Sequence, residues 1–158
     1  MARIGAVPNA PKAASTGQAQ RRRSANPESF ARRSTSRARI GQKAEALACD
    51  FLIARGYTIL AQNLRIGRLE VDLLVRLGSV VAVVEVRTRG PTSFLPALAT
   101  LSRAKRARLL EAADRLWQNK FANQEDVARI RIDVAAVYLD PGAPRVEYIE
   151  GAVHHEDV

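Results

Sequence analysis

The chain has 158 residues, of which 47% are hydrophobic, and a formal net charge of +9 at pH 7. This length favours one domain, and this apolar content suffices for one buried core, which excludes a wholly disordered chain. The one cysteine, Cys49, excludes an internal disulfide, and no stretch approaches the roughly 18 apolar residues of a membrane span. We therefore expect a cytoplasmic protein without a membrane partner.

The positive charge is concentrated in the N-terminal segment. Residues 1–39 carry nine Lys/Arg and one acid, net +8, whereas residues 40–158 carry sixteen against fifteen, net +1. The segment has few large apolar residues that could offset the entropy of ordering. We predict a disordered basic leader over residues 1–38. It is either a segment without function, such as an over-extended gene start, or a mobile arm that binds phosphate, and its composition also resembles a transit peptide.

From Gly41 the apolar residues recur at helical spacing. They are Ala44, Leu47, Ala48, Phe51 and Leu52. This periodicity predicts a helix that packs through one face, and Gly56 predicts its end, because glycine readily adopts the left-handed conformation that closes helices.

Strands are predicted after this helix over residues 57–61, 69–76 and 80–87, with a loop through Asn63, Arg65 and Gly67. The second and third are runs of consecutive Val and Leu, which is typical of strands covered on both faces. A second helix over 103–119, with Ser102 as its N-cap, and strands over 130–138 and 145–149 follow. The sequence therefore predicts an α/β domain over residues 39–153 and a polar tail over 154–158.

Two of these apolar strands carry charged residues. Glu70 and Asp72 lie in one strand, and Glu85 and Arg87 lie in the next. Because side chains alternate along a strand, we expect Glu70 and Asp72 on one face, and likewise Glu85 and Arg87. A buried carboxylate without a partner costs several kcal/mol, so these acids require compensation.

The connection between the two strands determines whether the acids meet. The Gly-Ser dipeptide at residues 78–79 suits a two-residue hairpin with glycine at its first central position. This register places Asp72 opposite Glu85 and Glu70 opposite Arg87. Opposed β-carbons lie about 4.5 to 5.5 Å apart, where like charges destabilise each other. The acid pair therefore requires a cation.

Two kinds of cation meet this requirement. Arg87 alone would give a purely structural ion-paired cluster, although three negative groups would face one positive group. Mg²⁺ or Mn²⁺ would also fit, because hard divalent ions prefer carboxylate and carbonyl oxygens, and such an ion would activate water and stabilise charge on a phosphodiester. Glu45 on the first helix is either a further member of this site or an ordinary exposed acid.

The motifs, taken in order, resemble a known family. They are GQKAEALACDFL at 41–52, GY at 56–57, NLR at 63–65, EVDLL at 70–74, VEVRTR at 84–89, the lysine at 105 and RIDV at 131–134. They resemble the YraN-type family of bacterial proteins, which is identified as a member of the PD-(D/E)XK superfamily together with Holliday-junction resolvases. The resemblance implies a restriction-endonuclease-like αβββαβ core with a mixed sheet flanked by helices.

The resemblance also implies roles for individual residues. Asp72 matches the first superfamily aspartate and Glu85 the second acid, so both, with the Val86 carbonyl, are expected to bind Mg²⁺ or Mn²⁺. Glu45 and Glu70 match accessory acids. Arg87 stands where the superfamily usually has lysine. Because arginine keeps its proton whereas a buried lysine can lose it, we expect Arg87 to hold the scissile phosphate.

Basic residues near these strands and in the second helix are candidates for nucleic-acid contacts. They are Arg65, Arg68, Arg89, Arg103, Lys105 and Arg106. Cations in the first turn of a helix oppose its dipole, which contact with a polyanion would explain. The alternative is a solvated basic face that Glu111 and Asp114 partly neutralise.

The sequence thus predicts a metal-dependent endonuclease-like protein that acts on nucleic acid, DNA rather than RNA, with homodimer formation left open. One alternative is a catalytically silent nucleic-acid-binding module of the same fold. Another is a protein-interaction or assembly factor whose basic leader binds an acidic partner.

Overall fold

The structure, a computed structural model, describes residues 27–90 and 96–158. In chain order its elements are α1 (Pro27–Ile53), β1 (Thr58–Ile66), β2 (Leu69–Leu77), β3 (Val80–Arg89), α2 (Arg103–Leu116), β4 (Arg129–Tyr138) and β5 (Arg145–Ile149). Short helical turns cover Ala97–Thr100, Trp117–Phe121 and His155–Asp157. Neither long helix combines the length and the apolar character of a membrane-crossing segment, as far as the described residues extend.

The strands form one mixed sheet in the order β1-β2-β3-β4-β5. Neighbouring strands are antiparallel except for β3 and β4, which are parallel. A parallel pair needs a long crossover, and α2 lies in the connection between β3 and β4. The predicted mixed α/β fold, with a sheet flanked by helices, is therefore confirmed.

The β2–β3 hairpin has the predicted register. Leu77 pairs with Val80, and Gly78 has a φ of 57°, which glycine adopts without steric cost. By contrast, β1 continues to Ile66, so Asn63 and Arg65, which we predicted in a loop, lie in a strand, whereas Gly67 lies in the turn before β2. The alternating exposure of β1 marks an edge strand with one covered face, a pattern that differs from the continuous apolar runs of β2 and β3.

The two faces of the sheet are covered by different helices. The α2-side core contains Leu109, Ala112 and Leu116 of α2 and the inward side chains of β3 and β4. The α1-side core is smaller and contains Ala44, Ala48 and Leu52 of α1. Both helices therefore pack with the apolar faces that their periodicity predicted.

Strands β1 and β2 share an irregularity near the middle of their ladder. Val71 and Leu74 both belong to the α2-side core, whereas Leu73 belongs to the α1-side core. Residues three apart in a regular strand point to opposite faces, so β2 exchanges its faces near Asp72. Asn63 stands opposite, between neighbours that pair with Leu73 and Val71, and has a positive φ of 49°. This change of face shapes the candidate site.

The first helix begins earlier than predicted. Helix α1 begins at Pro27, so residues 27–38, part of the leader that we predicted to be disordered over residues 1–38, are helical, while the domain start at residue 39 stays a prediction. Proline suits the first turn of a helix, and the alanines and arginines that follow have high helix propensity. The remainder of that segment, residues 1–26, lies outside the described residues.

Candidate functional site

Asp72 and Glu85 meet where β2 and β3 separate. The β2–β3 ladder ends at the pair formed by Leu73 and Val84. Just beyond it, the backbone N–H of Val86 donates a hydrogen bond to Asp72 Oδ2 at 2.8 Å. The Asp72 side chain thus bridges the opening between the strands and lies close enough to act on the charge of Glu85.

Glu85 is buried between two cations. Its side chain is 4% exposed, its Oε2 lies 2.7 Å from Lys105 Nζ, and its Oε1 lies 3.6 Å from an Arg87 guanidinium nitrogen. Lys105 reaches this position because α2 begins just before it, where Ser102 Oγ accepts the backbone N–H of Lys105 at 3.2 Å. The N-cap that the sequence predicted therefore helps to place a lysine at the acid pair.

The charges around Glu85 do not balance its burial. Burial and the charge of Asp72 raise the pKa of Glu85 to about 7, against the opposing effects of Lys105 and Arg87. Lys105 and Arg87 match the two carboxylates in number, so burial is the largest cause of the raised pKa of Glu85. A further cation at this place would be stabilised by both carboxylates.

We expect Glu85 to make the protein less stable as the pH rises. Its pKa is about 7 in the folded protein, against an ordinary value of 4.5, so between these values the unfolded chain has released a proton that the folded protein still holds. Stability from this group is complete below pH 4.5 and is lost as the pH rises through 7. Glu85→Gln should therefore raise the free energy of unfolding at pH 8 by on the order of 1–3 kcal/mol, and much less at pH 4.

Urea unfolding of both proteins at the two pH values measures this difference. Glu111→Gln on the exposed surface of α2 provides the control, since that side chain is half exposed. An equal effect of Glu85→Gln at both pH values would contradict the assignment.

Glu45 borders the acid pair from the side of α1. It is half-buried, and its Oε2 accepts a hydrogen bond from Asn63 Nδ2 at 3.1 Å. Because Asn63 stands opposite Asp72 in the β1–β2 ladder, this contact ties α1 to the place where β2 changes faces. The predicted accessory acid thus contacts the part of β1 that lies level with Asp72, and its role in the site stays a prediction.

Glu70 does not join the group in the predicted way. It is exposed, and it pairs with Arg65 of β1. The alternation that placed it beside Asp72 is interrupted between the two residues, and the predicted opposition of Glu70 and Arg87 lies beyond the end of the β2–β3 ladder. Both placements are corrected: the strands separate here instead of continuing as a regular ribbon.

The predicted nucleic-acid contacts divide into exposed and internal residues. Arg65, Arg68 and Arg103 are exposed. Arg89 is buried, and Arg106 donates to the Leu98 carbonyl at 3.1 Å. The first three are therefore accessible to a phosphate backbone, whereas the guanidinium group of Arg106 holds the turn that precedes α2.

The structure also contains a buried polar cluster that sequence reasoning treated only as part of a motif. Asp133 is fully buried in β4, and Arg131 Nε lies 3.0 Å from its carboxylate oxygens. Tyr148 Oη donates to Asp133 at 2.5 Å, and the Gly151 backbone N–H donates at 2.8 Å. An acid inside the apolar run of β4 was the signal that could have revealed this cluster.

The cluster continues to Tyr57, the residue before β1. The guanidinium group of Arg131 donates to Tyr57 Oη and to Glu150, each at 2.9 Å, and Tyr57 Oη donates to Glu150 at 2.8 Å. Burial raises the pKa of Asp133 although its hydrogen bonds act in the opposite direction. These contacts join β4, the end of β5 and the residue before β1, which indicates a structural role.

The acid pair has the donor set of a magnesium-type site. Mg²⁺ in proteins is commonly held by one or two carboxylates, while waters and substrate phosphates complete its shell. Asp72 and Glu85 provide two carboxylates that are close enough for the charge of Asp72 to act on Glu85. In the described ranges, no group of three or more His, Cys, Asp or Glu side chains is arranged to hold a metal ion.

Comparisons with known proteins show which family this chain is similar to. The profile of the uncharacterised protein family UPF0102 matches residues 44–137. A UPF0102 protein of Sorangium cellulosum is 39% identical over 145 residues, which cover 91% of this chain and 97% of that protein. A UPF0102 protein of Anaeromyxobacter is 41% identical over 73% of this chain and 85% of that protein. A UPF0102 protein of Vibrio cholerae is 33% identical over 72% of this chain and 90% of that protein.

Proposed function

The chain belongs to the UPF0102 family, and we propose that it is a metal-dependent endonuclease-like hydrolase of nucleic-acid phosphodiesters, with Asp72 and Glu85 at its active centre. The observation that carries this proposal is the 2.7 Å ion pair between Lys105 Nζ and Glu85 Oε2, beside Asp72. This ion pair brings a lysine to the acid pair, whereas β3 itself carries arginine at position 87. A structural ion pair alone would not require the second carboxylate.

The position of this lysine matters because Arg87 stands where the PD-(D/E)XK superfamily usually has lysine. An arginine keeps its charge, whereas a lysine amine beside a carboxylate can orient a water molecule or exchange a proton with it. Lys105 comes from α2, so this group is available although the β3 position is occupied by arginine. We assign the orientation of the attacking water to Lys105 and the binding of the scissile phosphate to Arg87, whose side chain is 37% exposed.

Asp72, Glu85 and the Val86 carbonyl would hold Mg²⁺ or Mn²⁺. Such an ion supplies charge stabilisation at phosphorus and an acidified water. The protein residues fix the geometry around it: the Val86 N–H holds the Asp72 carboxylate, and Lys105 holds that of Glu85. Hydrolysis joins the water oxygen to phosphorus and breaks one P–O ester bond. One proton of the water is transferred to the departing oxygen.

The test is cleavage of branched, single-stranded and supercoiled DNA by the full chain, with Mn²⁺ or Mg²⁺ and with EDTA. We expect metal-dependent cleavage, and Lys105→Met should lower the rate by about 10²-fold, which is typical of the loss of a proton-handling group. Lys120→Met is the matched control, because Lys120 is an exposed lysine beyond the other end of α2. This variant should cleave at the wild-type rate.

The outcomes separate the competing functions. Salt-sensitive DNA binding without cleavage in any variant would support a catalytically silent binding module instead, because phosphate contacts make affinity fall steeply with ionic strength. Absence of binding to DNA and RNA would leave the assembly-factor alternative. Equal cleavage by the wild type and Lys105→Met would remove the residue on which the proposal depends.

A further inference from the structure

Helix α1 begins several turns before the first of its described side chains that is buried. Among residues 35–53 of this helix, whose side chains the structure describes, that first buried side chain is Ala44, whereas the helix begins at Pro27. At about 1.5 Å per residue, the intervening turns measure about 25 Å. Residues 35–40, 42 and 43 are exposed, and Gly41 is half-buried. We call residues 27–43 the α1 arm.

The α1 arm is strongly basic. Its sequence carries five Lys/Arg and one acid. Arg37, Arg39 and Lys43 are exposed, and Arg39 and Lys43 stand four residues apart, a spacing at which like charges destabilise a helix. Ile40 is the one large apolar side chain among residues 35–43, so this part of the arm lacks the apolar face of a helix that lies on a membrane. A polyanion relieves the repulsion without needing an apolar face.

The C-terminal end of the arm lies close to the acid pair. Glu45, two residues after its end, accepts the hydrogen bond of Asn63, which stands opposite Asp72. Arg37 precedes Ala44 by seven residues, and this spacing places it on the face of α1 that packs on the sheet farther along. The arm thus projects from the active centre of the proposed function with positive charge on its sheet-facing side.

We propose that the α1 arm binds the phosphate backbone of a nucleic-acid duplex next to the bond that is cleaved. This inference rests on the proposed function and extends its substrate class: about 25 Å of helix matches roughly seven base pairs at 3.4 Å each. The arm positions the duplex and takes no part in chemistry. An acidic protein would also be attracted, but the adjacent phosphodiester site favours nucleic acid.

The experiment compares two double variants of the full chain. Arg37→Glu with Arg39→Glu reverses two charges of the arm, and Lys120→Glu with Arg129→Glu reverses two exposed charges at the far end of the sheet, where Arg129 pairs with Val80. Fluorescence anisotropy with a duplex of about 25 base pairs measures affinity as a function of salt. The arm variant should bind at least tenfold more weakly, and its salt slope should fall by about 2, near 0.9 per lost phosphate contact.

The control variant should bind like the wild type, and saturating single-turnover cleavage should be the same in all three proteins. Equal affinity of the arm variant and the wild type would overturn the inference while the proposed function stands. An equal loss in both double variants would also overturn it, since total charge would then explain binding. If the wild type neither binds nor cleaves nucleic acid, the inference and the proposed function both fail. Circular dichroism verifies that the helix persists.

Discussion

Asp72→Asn should lower the rate of metal-dependent cleavage by about 10³-fold, because it removes one of two carboxylates that would hold the ion. Transition-state stabilisation by a metal amounts to several kcal/mol, and each 1.36 kcal/mol corresponds to a factor of ten. The asparagine amide oxygen can still accept the Val86 N–H, so the bridge between β2 and β3 is retained. Single-turnover cleavage with Mn²⁺ measures the effect.

A second measurement distinguishes loss of metal from loss of fold. Calorimetric titration with Mn²⁺ should show heat for the wild type and little for Asp72→Asn, while the two proteins unfold at similar urea concentrations. Asp50→Asn, which changes an exposed acid on α1, provides the control and should cleave normally. Wild-type rates in Asp72→Asn would show that the carboxylate pair is structural.

The order of elements could be predicted because it depends on local signals. Consecutive apolar residues indicated β2 and β3, helical spacing indicated both helices, and one Gly-Ser dipeptide determined the hairpin register that the structure has. The edge strand β1 was cut short because its polar half resembles a loop. Strand pairing with β2, which no local pattern encodes, keeps residues up to Ile66 extended.

The candidate site was only partly predictable, for a physical reason. The meeting of Asp72 and Glu85 follows from hairpin register, which is short-range. The change of face near Asp72, which removes Glu70 from the predicted patch, depends on the tertiary fit of two strands against two helices. An alternation rule contains no information about such irregularities.

Lys105 is a residue of the candidate site whose contact with Glu85 could not be predicted from the sequence. The sequence presented it as one of several basic residues in the first turns of a helix, suited to phosphate contacts. Only the packing of α2 on the sheet brings its ammonium group to within 2.7 Å of Glu85. A contact between residues 85 and 105 depends on a crossover connection, so its partner could not be identified by spacing.

Asp133→Ala should lower the free energy of unfolding by about 3–5 kcal/mol, the usual cost of removing one partner from a buried ion pair. The change leaves the Arg131 guanidinium, 16% exposed, without its buried carboxylate, and it removes the acceptor of Tyr148 and Gly151. Because these groups join β4, β5 and the residue before β1, the loss should affect the whole fold. Urea unfolding at pH 7 measures the change.

Tyr148→Phe separates this cluster from a simple packing effect. It deletes the hydroxyl that donates to Asp133 and keeps the ring, which packs edge-on against Tyr57 at 5.8 Å between centroids. We expect a cost of about 1.5–3 kcal/mol, the usual range for a hydrogen bond to a charged group. An exposed acid, in Glu125→Ala, should change stability by less than about 0.5 kcal/mol. If Asp133→Ala were as mild as that control, the charge of Asp133 would contribute nothing to the fold, and a functional role for the cluster would have to be considered.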